Sequence, residues 1–95
     1  MTDKPIALVT GGAQGIGYAC GEAIAEDGAR VVLADINQDG VKSAAERLGG
    51  DTVGLACDMG DPGQITAMFD RIEAEIGNVS ILVNNAGIAA PGDFL

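Results

Sequence analysis

Thr10-Gly11-Gly12-Ala13-Gln14-Gly15-Ile16-Gly17 is the stretch on which the reading of this chain turns. A wholly apolar run, Ile6-Ala7-Leu8-Val9, leads into it, and residues with helical spacing follow it. Continuous apolarity over so few residues is the mark of a strand buried on both faces, as in a parallel sheet. Glycines between a strand and a helix let the backbone approach a bound group with no Cβ atoms in the way. The N–H groups and positive dipole end of the helix then attract phosphate. The same glycines could serve only to make a tight turn and let helix pack on strand, but their placement between the two elements favours a phosphate loop. A lysine-bearing nucleotide loop is excluded, because no Gly-Lys-Ser/Thr follows.

Working outward, residues 15–27 place Ile16, Ala19, Cys20, Ala23 and Ile24 at three- and four-residue intervals, so an apolar helical face is expected there, stopped by Gly28. Val31-Val32-Leu33-Ala34 is a second apolar run and ends at Asp35. Residues 38–48 read as a helix through Val41, Ala44, Ala45 and Leu48, closed by Gly49-Gly50. Thr52 to Cys57 gives a weaker third strand. Asp61-Pro62 looks like an N-cap with proline in the first helical position. The face Ile65, Met68, Phe69, Ile72 and Ile76 follows, stopped by Gly77, and Val79 to Val83 forms a fourth strand running into Asn84-Asn85-Ala86-Gly87. The order is βαβαβαβ. Strict alternation predicts an α/β fold with a parallel sheet and right-handed crossovers, and the dinucleotide-binding version of such a doubly wound sheet sets its strands in the order 3-2-1-4.

Asp35 lies eighteen residues beyond Gly17, close to the spacing of an acid that accepts hydrogen bonds from an adenosine ribose. Its charge would repel a 2′-phosphate. Ile36, Asn37 and Gln38 offer no cation to relieve that repulsion, and Arg30 stands about 16 Å back along an extended strand. NAD is therefore expected over NADP. The alternative role for Asp35 is to cap the next turn. Five basic against fourteen acidic residues, a net charge of −9, exclude a basic nucleic-acid surface, so any phosphate must rest on backbone donors. Cys20 and Cys57 have neither disulfide nor metal-ligand spacing, there is no histidine, and no apolar run is long enough for a membrane span. A cytoplasmic protein with free, core-packed thiols is expected.

These features together resemble the short-chain dehydrogenase/reductase family. Thr10 to Gly17 matches its Thr-Gly-x-x-x-Gly-x-Gly signature, Asn84-Asn85-Ala86-Gly87 its second signature, and Asp58 its adenine-contacting acid. The resemblance covers essentially the whole chain and implies a Rossmann-type domain. It implies that Gly11, Gly15, Ile16 and Gly17 line the pyrophosphate with Gln14 close by. Asp35 and Ile36 would hold the adenosine ribose, the Asp58 side chain and Met59 backbone the adenine, and Asn85, Ala86 and Gly87 the nicotinamide-side ribose. Asn84 would brace the sheet; the second signature could also be wholly structural, its asparagines satisfying loop backbone groups.

The family's chemistry also needs a tyrosine with a lysine four residues later, since hydride transfer to a carbonyl requires a matched proton donor. The one tyrosine here is Tyr18, followed four positions on by Glu22, and it is expected to pack. No catalytic residue is therefore assigned. The expectation is the N-terminal, dinucleotide-binding part of an NAD-dependent alcohol or ketone oxidoreductase, inactive alone, with an open fourth-strand edge available for self-association. The alternatives are a non-catalytic NAD or adenine-nucleotide module and an interaction protein. The substrate is not legible.

Overall fold

The structure, a computed structural model, describes residues 4–85. Four strands, β1 (Ile6–Thr10), β2 (Arg30–Asp35), β3 (Val53–Ala56) and β4 (Val79–Asn84), alternate with three helices, α1 (Gly15–Glu26), α2 (Gln38–Leu48) and α3 (Pro62–Glu75). All pairings are parallel, as the alternation predicts, and the sheet order is β3-β2-β1-β4, the one expected of the dinucleotide-binding version of such a sheet. The fold is the Rossmann-like α/β sheet.

Side-chain alternation along the central strands explains why both faces must be covered. Leu8, Val32 and Ala34 point to one face and pack with Leu55, Cys57, Met68 and Ile72, so α3 lies there. Val9, Val31 and Leu33 point to the other, under Val41, Ala44 and Ala45 of α2 and partly buried Tyr18, Ile24 and Ala25 of α1. The expected face of α3 is borne out: Met68 and Ile72 are buried, with Ile65, Phe69 and Ile76 packed against them.

The expected face of α1 is not. Ile16 is 73% exposed, and Ala19 and Ala23 also face outward, whereas the buried residues of α1 are Gly17 and Gly21. The helix lies so close to the sheet that a Cβ on Gly21 would stand 2.9 Å from Leu33 Cδ2. Small size, rather than apolarity, selects the inward residues here. Cys20 is half-buried, against a core position expected from the sequence, while Cys57 is buried just beyond β3. Strand β3 itself is shorter than expected, leaving Thr52 and Cys57 outside it.

At the β4 side the register slips between Ile6 and Ala7, which pair with Val79 and Ile81. Ser80 fills the slip: its hydroxyl accepts from Ile6 N at 3.3 Å and donates to Ile6 O at 3.5 Å. Among the described residues β4 pairs with β1 alone, and Ile81 (36%) and Leu82 (57%) are exposed. No helix among these residues is long and apolar enough to cross a membrane. Ala86, Gly87 and the tail 88–95, for which the sequence carries expectations, lie outside the described residues.

Candidate functional site

The carboxyl ends of parallel strands are where an open α/β sheet binds ligands, and here those ends are tied to one another. After β1 the chain turns through Gly11 (φ 66°) and Gly15 (φ 63°), backbone conformations that L side chains rarely adopt. A Cβ on Gly17 would collide with the Gly11 carbonyl, so the first turn of α1 is pressed against the loop. Gly12 N donates to Ala34 O at 3.1 Å, and Ala13 N donates to Asp35 Oδ2 at 3.1 Å, which fastens the loop to the end of β2.

Asp35 thus has a structural task as well as a position suited to a ribose. Its Oδ1 accepts from Asn37 N at 3.0 Å, ordering the turn into α2. The N-cap of α2 is Asn37, not Asp35: Asn37 Oδ1 accepts from Gly40 N at 2.9 Å. A carboxylate offers about four acceptor sites, so two backbone donors do not exhaust it. Beside it the apolar side chain of Ile36 is 69% exposed.

At the next strand end, Cys57 N donates to Asp35 O at 3.0 Å, joining β3's exit to β2's. Asp58 follows, its Oδ1 accepting from Gly60 N at 2.8 Å. Gly11, Asp35, Ile36, Cys57, Asp58, Met59 and Gly60 together line one open cleft of about 290 Å³. Three regions separated in sequence, the glycine loop after β1, Asp35 at the end of β2 and Asp58 after β3, therefore meet in one place. Two carboxylates there favour neutral groups that donate hydrogen bonds, such as hydroxyls and amino groups, over anions. Burial, followed by the nearby charges of Asp58 and Asp61, pushes the Cys57 thiol up, so Cys57 is a neutral floor to the cleft.

The helix that would receive phosphate begins differently from its neighbours. Gln14 precedes α1 in an extended conformation (φ −159°), makes no side-chain cap, and no acid stands in the first turn. The first turn of α1 therefore carries no counter-charge of its own to the positive end of the helix dipole. Ile16, expected at the pyrophosphate, projects into solvent on that first turn.

At the end of β4, Asn84 and Asn85 of the second signature perform a bracing role. Thr10, fully buried, donates its hydroxyl to Asn84 Oδ1 at 3.1 Å and accepts from Asn85 N at 2.9 Å, while Asn85 Nδ2 donates to Gly11 O at 3.4 Å. Asn84 and Asn85 thereby link β4 to β1 and to the loop. Sequence reasoning missed Thr10 and Gly12 as site-building residues. It also missed Gln64, whose side chain reaches the backbone of Asp58. Thr10 and Gly12 stand inside the quoted motif; Gln64 sits three residues beyond the cap Asp61, a spacing that signals a capping contact.

Tyr18 packs, as expected: the Arg47 guanidinium carbon lies 4.5 Å from its ring centroid, a cation–π contact joining α1 to α2. Among the described residues no group of three or more His, Cys, Asp or Glu could hold a metal ion.

A nicotinamide dinucleotide fits these residues on structural grounds: the close approach at Gly17, the uncapped start of α1, and the acid-lined cleft beside it. The comparisons agree. The chain belongs to the short chain dehydrogenase family, whose model matches residues 5–95. It is 45% identical over 98 residues to a D-threitol dehydrogenase of Mycolicibacterium smegmatis, covering 98% of this chain and 38% of that protein. The menthone neomenthol reductase of Mentha piperita superposes with a TM-score of 0.84 at 35% identity, over 92% of this chain and 33% of that one. A 2-keto-3-deoxy-D-gluconate dehydrogenase from Streptococcus agalactiae gives 0.80 at 42% identity, over 88% and 33%. The chain thus spans about a third of these relatives' length. Members of the family are oxidoreductases that bind nicotinamide dinucleotide cofactors.

Proposed function

We propose that residues 1–95 are the N-terminal part of a single NAD-binding domain, and that the hydride transfer between alcohol and ketone belongs to a longer polypeptide. The observation that carries this reading is the cleft that unites Gly11, Asp35 and Asp58. Gly11, Gly15, Ile16 and Gly17, with Gln14 at the rim, would hold the pyrophosphate through backbone N–H groups and the dipole of α1. Asp35 and Ile36 would take the adenosine ribose, Asp58 and the Met59 backbone the adenine, and Asn85 with Ala86 and Gly87 the second ribose. When bound, the cofactor supplies the hydride acceptor or donor. This chain's own residues bind and orient it, and none is assigned to move a proton, so the chain alone is inactive.

NAD is preferred over NADP because Asp35 would face the 2′-position with no cation at hand. Arg30, at the opposite end of β2, is occupied: its Nε donates to Asp51 O at 3.2 Å. The test is calorimetric titration of the purified chain with NAD and with NADP, its folding checked by circular dichroism. Saturable binding that favours NAD is expected. A folded chain that binds neither, or binds both equally, would overturn the reading. Replacing Asp35 by Ala and Ile36 by Arg should move the preference toward NADP by a factor of about 10–100, two changed ionic contacts at about 1–3 kcal/mol in all.

The free thiols of Cys20 and Cys57 accord with a reducing, cytoplasmic location. Among the described residues β4 pairs on one side alone, with Ile81 and Leu82 exposed, which favours a second reading in which the chain also associates through that edge. Sedimentation of Leu82→Lys against the wild type tests it, with loss of association expected.

A further inference from the structure

Asp58 and Met59 lie on a short loop between β3 and α3, and something must hold that loop in one shape if its carboxylate is to recognise a base. Part of the answer is internal. Asp58 Oδ1 accepts from Gly60 N, and Asp58 O accepts from Asp61 N at 3.0 Å. The rest comes from Gln64, in the first turn of α3. Its Oε1 accepts from Asp58 N at 2.9 Å, and its Nε2 donates to Asp61 Oδ2 at 3.3 Å. Asp61 in turn caps α3, accepting at Oδ1 from Gly63 N and Gln64 N. One carboxamide therefore connects the helix cap to the main chain of the residue that faces the cleft. Gln64 does not line that cleft; its side chain borders the separate groove between β3 and α3.

We propose that Gln64 is a positioning residue for base recognition: by gripping Asp58 N it sets where the Asp58 carboxylate stands, and so controls discrimination at the adenine end. This inference rests on the NAD reading above. An ionised carboxylate is acceptor-only. It pairs with the 6-amino group of adenine and meets an oxygen in hypoxanthine, so the ratio of affinities for NAD and nicotinamide hypoxanthine dinucleotide reports Asp58's placement. General loss of stability does not alter such a ratio.

The test measures that ratio by titration in the wild type, Gln64→Ala and Gln64→Glu. Gln64→Ala removes the grip, and its preference for NAD should fall about tenfold, the worth of one hydrogen bond to a fixed group. Gln64→Glu keeps an oxygen for Asp58 N but loses the donor to Asp61 and brings two carboxylates together. It should be the less stable variant, with its preference kept within about threefold of the wild type, the spread usual for such contacts. A preference in Gln64→Ala equal to the wild type, or an equal loss in both variants, would overturn the proposal. A wild type with no preference to lose would overturn the adenine assignment of Asp58 and this inference with it. That outcome leaves binding at Gly11 to Gly17 and Asp35 standing, so the two failures are told apart. Amide exchange in the wild type adds a readout that requires no variant to fold: Asp58 N–H should be protected at least tenfold over an open loop amide. Exchange at the open-loop rate would refute the grip.

Discussion

The three helices begin in two different ways. Helices α2 and α3 start on side chains that accept from their own first turns: Asn37 from Gly40 N, and Asp61 from Gly63 N and Gln64 N. Each also has a further internal device, an acid at Asp39 in one and proline in the first positions of the other. Helix α1 has neither a capping side chain nor an acid in its first turn, and it follows a loop of glycines. A Ser, Asp or Asn at a helix start contributes about 1 kcal/mol, so leaving it out is a cost. Two helices satisfy N-terminal donors with their own side chains; the third, among the described residues, has no capping side chain at its start. Its proximity to the sheet, through Gly17 and Gly21, belongs to the same arrangement.

Breaking that arrangement at its tightest point should have the largest effect. In Gly17→Ala the new methyl meets the Gly11 carbonyl, and neither backbone can yield without moving the loop. Overpacking of this kind costs roughly 1–3 kcal/mol, and the geometry of the loop is lost with it. NAD affinity should fall about a hundredfold or more, a drop of 2.7 kcal/mol or more, as read by titration. Binding near wild-type strength would show that α1 and the loop do not act together as a phosphate site.

Next in size is a change that makes α1 resemble its neighbours. Gln14→Asp supplies the missing cap and a negative charge at the dipole's positive end. The unliganded chain should gain about 0.5–1 kcal/mol, or roughly 2–8 °C in melting temperature. Affinity for NAD should fall about tenfold, because the added carboxylate competes for the same donors and repels the pyrophosphate. A gain in stability with unchanged affinity would separate the helix start from ligand binding.

Much of this was legible in the sequence, and the parts that were not share a physical cause. The strands, their parallel pairing and the face of α3 follow from periodicity and alternation, which register on every residue, and the order β3-β2-β1-β4 from the dinucleotide-binding version of such a sheet. The caps Asp61 and Pro62 were legible because capping is local. The inward face of α1 was misread because periodicity counts apolar side chains, and here close approach selects for no side chain at all: Ile16 faces solvent while Gly17 and Gly21 are buried. The coming together of Gly11, Asp35 and Asp58 is implied by the family signatures, yet the bonds that hold them are not. Ala13 N to Asp35 and Cys57 N to Asp35 O are contacts that nothing in residue type announces, and the spacing of Gln64 from the cap Asp61 signals a capping contact without giving Asp58 N as the partner. The bulge at Ser80 was hidden for the same reason.

Removing the ordinary caps sharpens the comparison from the other side. Asp61→Ala takes from α3 the oxygen that accepts from both Gly63 N and Gln64 N, and with it the partner of Gln64 Nε2, so about 1–2 kcal/mol of stability should go, with some loosening of the Asp58 loop. The smallest change is expected in Asn37→Ala, which loses one bond to Gly40 N and about 1 kcal/mol. Asn37 lies only two residues from Asp35, which makes it the stricter control. The bond that ties it to Asp35 comes from its main-chain N–H, and alanine keeps that donor. Thermal unfolding should therefore register the loss while NAD affinity stays within about twofold, below the worth of a typical hydrogen bond. A tenfold fall in affinity would mean that the start of α2 also serves the ligand, and the division between helices capped for the fold and a helix left open for binding would fail at its nearest neighbour.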